Sequence, residues 1–371
     1  MVSYLKGVKH MKKRSGNLDL LKFLFSLMIV FFHGKNLATT ESYIFPGGSI
    51  AVEFFFIVSG VLMARAACTY EMQENLGKDT FVFMKHKISG LLPNYYIAFV
   101  IAFAVVHRGV TSLTSLSRSL ASSLWEALLL INTGLRPSKS VCNGPVWYLS
   151  AMLLAMCIIW PIMRKFKDTF FYAIAPISAV FLMGITYQNW SSFGGASIWL
   201  GFTSKGTVRA FMGILLGCVG YKVSEYLKKQ EFTTLSRILF AIVEISGYAA
   251  IFVVSFFKGR GDMDWLELLV LTVCITITFS NVSVWAGWFS HPIFNWLGVF
   301  SYSLYLGHGF WSNAMVDLFP TLNYWTRIPV YLVISFATAL VIHYTSLGLR
   351  RFWKVKGPQI KELFVKTPAC S

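Results

Sequence analysis

Ten stretches of predominantly apolar residues alternate along the chain with short polar segments. Each approaches the roughly 20 residues that a helix needs to cross a bilayer. They fall near 18–38, 49–67, 88–107, 146–163, 169–187, 206–222, 238–257, 265–281, 292–311 and 328–347. The stretch Leu120 to Ile131 is apolar but short, and it reads as an interfacial or re-entrant piece; if it spans, every later orientation inverts. The pattern predicts an all-α polytopic membrane protein with about ten transmembrane helices. A basic arm occupies 1–17, the transmembrane domain 18–347 and a basic tail 348–371. The segment from about 108 to 145, with Gly134, Pro137, Gly144 and Pro145, is the most loop-like, and no repeat relates the two halves.

Composition supports this reading. Of 371 residues 56% are hydrophobic and only 13% charged, with mean hydropathy +0.60, too apolar for a soluble domain. The net charge of +17 could point to nucleic acid, but Lys and Arg alternate with apolar runs and form no basic face. No nucleic-acid partner is expected. With ten spans and both termini cytoplasmic, 22 of the 33 Lys and Arg lie inside, ten outside, and Lys22 within the first span. The positive-inside rule favours that arrangement, in the cytoplasmic (inner) membrane. Met1 to Gly16 shows no small-residue cleavage site and is expected to be retained. The six cysteines, Cys68, Cys142, Cys157, Cys218, Cys274 and Cys370, form no CxxC or disulfide framework.

Ionisable groups inside membrane spans are costly and mark candidate functional sites. Lys22 and His33 share the first apolar stretch. At about 100° per residue their directions differ by roughly 20°, so they occupy one face. They are separated by roughly 16 Å along the axis. On the predicted topology His33 lies near the outer end of span one, Glu53 near the outer start of span two and His308 near the outer end of span nine. Trp147 and Tyr148 begin span four, and Lys205 and Arg209 begin span six, at similar depth. Two histidines, a carboxylate and cations at one level can move protons at near-neutral pH, or hold a metal. The structural readings compete: His308 as a satisfied core residue, Glu53 as the partner of Lys205 or Arg209, Trp147 and Tyr148 as interfacial anchors. On the inner side Lys85-His86-Lys87 could bind phosphates of an anionic donor, or anchor the topology. No Gly-rich phosphate loop, HExxH or GxSxG occurs.

Four segments in order resemble the acyltransferase-3 family of integral membrane proteins, which O-acetylate bacterial surface polysaccharides and related glycans. The family's first span carries an Arg, ten residues, then a His; Lys22 and His33 keep the spacing with Lys in place of Arg. Its Gly-Val-Asp-Phe-Phe-Phe, followed by Ser-Gly-Phe-Leu, is matched by Ala51-Val52-Glu53-Phe54-Phe55-Phe56 and Ser59-Gly60-Val61-Leu62. A mid-chain Trp-Tyr-Leu matches Trp147-Tyr148-Leu149, and Leu-Gly-x-x-Ser-Tyr-Ser-x-Tyr-Leu-x-His fits Leu297 through His308. The family's Arg-Arg-x-x-Arg-x-x-Pro cluster aligns with His86-Lys87-Ile88-Ser89-Gly90-Leu91-Leu92-Pro93, which puts Gly90 at the third arginine.

The resemblance implies that acyl-CoA, with acetyl expected, approaches from the cytoplasm and that its acyl group reaches a hydroxyl of a surface polysaccharide or lipid-linked saccharide outside. No tightly bound cofactor or metal is expected. His33 is the expected general base or transient acyl carrier, and Glu53 is expected to orient or charge-stabilise it. Trp147, Tyr148, Arg209, Tyr305 and His308 are expected to bind the acceptor, and Lys22, Lys85 and Lys87 the donor. The alternative class is a transporter or exporter of a small organic anion, with Lys22, Arg209 and the histidines lining an alternating-access path.

Overall fold

The computed structural model describes residues 15–38, 43–130 and 142–365. The arm before Ser15, the loop-like residues 131–141 with Gly134 and Pro137, and Cys370 lie outside the described residues. Among the described residues there is no strand, and nine helices are long and apolar enough to cross a membrane.

The first is α1, Gly16–His33, with Asp19 in its first turn and His33 in its last, each placed where the helix dipole favours its charge. Helix α2, Ala51–Thr69, follows a short 3-10 turn. Helix α3, Leu76–Val106, begins well before the expected residue 88 because Asn75 caps it, its Oδ1 accepting from Lys78 N at 2.8 Å. Helix α4, Leu113–Ser122, buries none of its residues. The short α5, Leu124–Ala127, then enters the bundle, and Leu128 to Leu130 pack between α3 and the next long helix. That helix is α6, Trp147–Lys165. A π turn precedes α7, Ala175–Asn189, and then follow α8, Lys205–Leu227, α9, Thr234–Phe257, and α10, Met263–Ser280.

The expected ninth span, 292–311, is divided. Helix α11, Pro292–Gly307, stops at His308, and α12, Gly309–Leu318, starts afresh. Sixteen residues rise only about 24 Å, short of the roughly 30 Å hydrocarbon core. The cause is a wedge formed by Asn143 and Pro145. Asn143 Nδ2 donates to Leu306 O at 2.8 Å, a carbonyl whose helical partner is lost at the break. A side chain at Gly309 would place its Cβ 2.5 Å from Asn143 Oδ1, so the wedge needs glycine there. The last helix, α13, runs from Tyr324 to Val365.

Helices α2 and α8 touch backbone to backbone. A Cβ at Gly60 would lie 2.1 Å from Ile214 O, and one at Gly217 would lie 2.1 Å from Ile57 O. Without a hydrophobic force between helices in lipid, such small-residue contacts and their dispersion energy hold spans together. The contact also fixes register, because Glu53 and Arg209 stand one turn or two beyond it and meet. At the opposite end of the bundle Asp79 accepts from Trp160 Nε1 at 2.8 Å and from Arg164 Nε at 3.0 Å, tying the start of α3 to the end of α6. Ile177, Val180 and Phe181 on α7, with Ile238, Leu239 and Ile242 on α9, point outward, as lipid-facing positions do.

Candidate functional site

His33 closes α1 and His308 sits at the break after α11, and the two imidazoles meet. His33 Nδ1 lies 3.2 Å from His308 Nε2. His308 is fully buried, whereas His33 keeps partial exposure. The carbonyl partners set the tautomers. His308 Nδ1 lies 3.3 Å from Leu304 O and His33 Nδ1 lies 2.9 Å from Ile29 O. A carbonyl only accepts, so neutral rings carry their hydrogen on Nδ1 in both cases. His308 Nε2 then offers a lone pair to the same His33 Nδ1–H, which it shares with the nearer Ile29 O, and His33 Nε2 is left as the basic nitrogen. It has no hydrogen-bond partner among the described residues.

Aromatic rings line the approach. Tyr305 packs on His308 at 5.9 Å between ring centres and on Tyr148 at 5.7 Å, and its hydroxyl donates to Pro145 O. Tyr148 OH is 3.3 Å from Ser59 Oγ. Asn36, three residues past His33, donates to Ser312 Oγ at 3.0 Å and Asn313 Oδ1 at 2.8 Å, fastening α1 to α12. Beneath the wedge Glu126 of α5 accepts from Asn143 N at 2.7 Å and Cys142 N at 3.0 Å. The inserted segment thereby holds the loop that breaks the helix at His308.

Glu53 takes Arg209 as its partner, the structural reading of this carboxylate, and not His33. Its Oε1 accepts from Arg209 Nε at 2.6 Å and its Oε2 from Arg209 Nη2 at 2.8 Å, a bidentate fork with both side chains buried. Arg209 Nη1 donates to Phe193 O at 2.7 Å, and the guanidinium packs on Trp147. Two of the expected site residues therefore neutralise each other, because a buried charge must be compensated. Trp147 supports Arg209 with its ring, and Lys205 donates to Ser192 O at 2.7 Å.

The cationic residues at the other end also separate. Lys22 pairs with the buried Asp19 at 3.4 Å. Lys87 approaches Lys22 closely enough to feel its charge. Lys85 is exposed and packs over Phe81. Two helical steps turn the chain by about 200°, so Lys85 and Lys87 cannot act as one cluster on a helix that already starts at Leu76. Sequence reasoning missed Arg350 of α13, whose Nη2 donates to Gly90 O at 2.6 Å and to Asn94 Oδ1 at 3.2 Å. It borders a cavity of about 560 Å³ with Tyr96, Trp353 and Lys354. Position 90, which lacks the family's arginine, thus receives a guanidinium from a distant helix. No local motif could signal this. Arg260, close to Phe32 beside His33, was missed for the same reason, whereas Lys35, two residues after His33 and close to the same ring, was counted only as an outer charge.

Comparison with curated proteins and with solved structures finds no match at a significant level. A family model described as an acyltransferase domain matches residues 15–344, from the start of α1 into α13, and so takes in both histidines, the Glu53–Arg209 pair and the helix break. The chain belongs to the acyltransferase-3 family and is a multi-pass membrane acyltransferase.

Proposed function

We propose that the protein moves an acetyl group from cytoplasmic acetyl-CoA to a hydroxyl of an extracytoplasmic glycan or lipid-linked saccharide, in the cytoplasmic membrane. The observation that carries this reading is the free Nε2 of His33, on a ring held through Nδ1 by Ile29 O and His308. Nε2 takes the proton of the acceptor hydroxyl as its oxygen attacks the thioester carbonyl. The C–S bond then breaks, and the imidazolium returns the proton to the departing thiolate. Ile29 O and His308 Nε2 share the Nδ1–H throughout and stabilise the positive ring. Tyr148 and Tyr305 flank the acceptor. Glu53 and Arg209 serve as the rigid wall behind it.

The donor enters at the opposite end, where Lys22 and Lys87 lie near one another and Arg350 and Lys354 border a cavity. Tyr96 and Trp353 offer faces for the adenine, and the cations meet its phosphates. Incubation of membranes with labelled acetyl-CoA, followed by isolation of glycan and lipid-linked sugar, tests the reading. Covalent label on a saccharide is expected. Label that is taken up but never bonded would replace the acyltransfer with transport.

A further inference from the structure

Two cations stand at the histidine site with no ion-pair partner among the described residues. Lys35 Nζ lies 4.4 Å from the centre of the Phe32 ring and Arg260 Cζ lies 4.7 Å from the same centre. Phe32 in turn packs edge-on against His33, at 5.2 Å between ring centres. Lys35 comes from the turn after α1 and Arg260 from the loop joining α9 to α10, so two separate segments converge on one ring. Among the described residues neither cation has a carboxylate within salt-bridge distance, and neither side chain donates a hydrogen bond. Arg260 Nε is shielded from solvent and still has no acceptor.

The carboxylates nearby, Glu53 and Asp264, act on Arg260 through space and form no ion pair with it. Glu53 is forked to Arg209. Asp264 accepts from Phe193 N at 2.6 Å and from Gly261 N at 3.1 Å. Burial, followed by repulsion from Arg209, pushes the Arg260 guanidinium down to about 10, so it remains cationic at neutral pH. A half-buried guanidinium whose shielded Nε has no acceptor is costly, and an arriving anion removes that cost. Interfacial anchoring does not account for it, since Arg260 lies against Phe32 and the backbone at Gly194, where its Nη1 would sit 3.2 Å from an added Cβ.

We propose that Lys35 and Arg260 bind an anionic group, a carboxylate or phosphate, carried by the acceptor saccharide, and so hold its hydroxyl beside His33. This rests on the reading that His33 deprotonates the acceptor. Arg260 contributes a planar fork and Lys35 a mobile point charge. Both are positioning residues, since the reacting atoms meet His33.

The test uses the full chain in its membranes with labelled acetyl-CoA, and the labelled saccharide is recovered and fractionated by anion exchange before and after carboxyl reduction and mild-acid cleavage of phosphodiesters. Label on a saccharide bearing a carboxylate, or on one joined through phosphate, is expected, and the two treatments tell these sources apart. A labelled saccharide that carries neither group overturns this inference and leaves the acyltransfer standing. Absence of any labelled saccharide overturns both.

Arg260→Gln and the exposed Lys35→Gln are each expected to raise the acceptor KM by about 10- to 100-fold, the weight of a charge-assisted contact. The rate at saturation should change little, and Arg260→Lys should restore part of the affinity. If the cations act only on the charge state of His33, the pH profile of kcat moves while acceptor KM stays fixed. That result also overturns the proposal. Lys35→Gln keeps the test decisive if Arg260→Gln fails to fold, because Lys35 is exposed.

Discussion

His33 and His308 are 275 positions apart in the chain, yet their ring nitrogens lie 3.2 Å from one another. His33→Ala should reduce acyl transfer by about 10²- to 10⁴-fold, the range for loss of a positioned general base, in membranes holding normal amounts of protein. His308→Gln, whose side-chain oxygen can still accept from the Nδ1–H, should retain more activity than His308→Ala. Steady-state transfer assays on membranes of equal protein content check both, and equal loss from the two His308 variants would remove the acceptor role given to His308 Nε2.

Glu53 and Arg209 are expected to behave as one unit. Glu53→Ala or Arg209→Ala alone leaves a buried charge without its partner and should destabilise by about 3 to 5 kcal/mol. Glu53→Gln combined with Arg209→Met should recover much of that loss. Thermal unfolding in detergent across the double-mutant cycle measures the coupling, and additive losses would show that the fork contributes little.

Gly60→Ala and Gly217→Ala should each lower the unfolding temperature, because the new Cβ would lie 2.1 Å from a backbone oxygen of the facing helix. Overpacking of this kind costs about 1 to 3 kcal/mol. Gly90→Ala and Gly348→Ala, which meet no atom within 4 Å, serve as controls that should lose nothing and gain up to about 1 kcal/mol from helix propensity. Fluorescence-detected unfolding of the four purified variants distinguishes them.

At the donor end, Lys87→Ala should raise the KM for acetyl-CoA by more than Lys85→Ala, since Lys85 points away over Phe81. Arg350→Ala should raise it by about tenfold or more, the effect of losing one hydrogen-bonded charge. Donor titration at fixed acceptor reads these values. An unchanged donor KM in both lysine variants would return Lys85 and Lys87 to topology anchoring.

Most of the architecture was legible in the sequence because lipid demands long apolar stretches, and only helices satisfy their backbone groups there. Span boundaries were less legible where capping decides them, as at Asn75. The break at His308 was hidden because it depends on Asn143 and Pro145 reaching across from another segment, and nothing in Leu304 to Gly309 announces it. Depth arithmetic brought His33 near His308, but it could not decide which cation Glu53 would face. Lys205 and Arg209 stand at similar height, and the choice follows from the glycine contact between α2 and α8. Arg350 at Gly90 was beyond reach, since pairings between distant helices leave no periodic mark.

The shortness of α11 has a consequence for the surrounding lipid. Its hydrophobic length falls about 6 Å below that of an average hydrocarbon core. Mismatch of this size is relieved when the bilayer thins around the helix, and α11 is exposed chiefly along its first half, from Pro292 to Val299, since Ser303 to Phe310 are buried. On the proposed function, a sugar acceptor then has less hydrocarbon to skirt on its way to His33. Turnover in reconstituted vesicles should accordingly fall as phospholipid chains lengthen, with the host bilayer itself setting how easily the acceptor arrives.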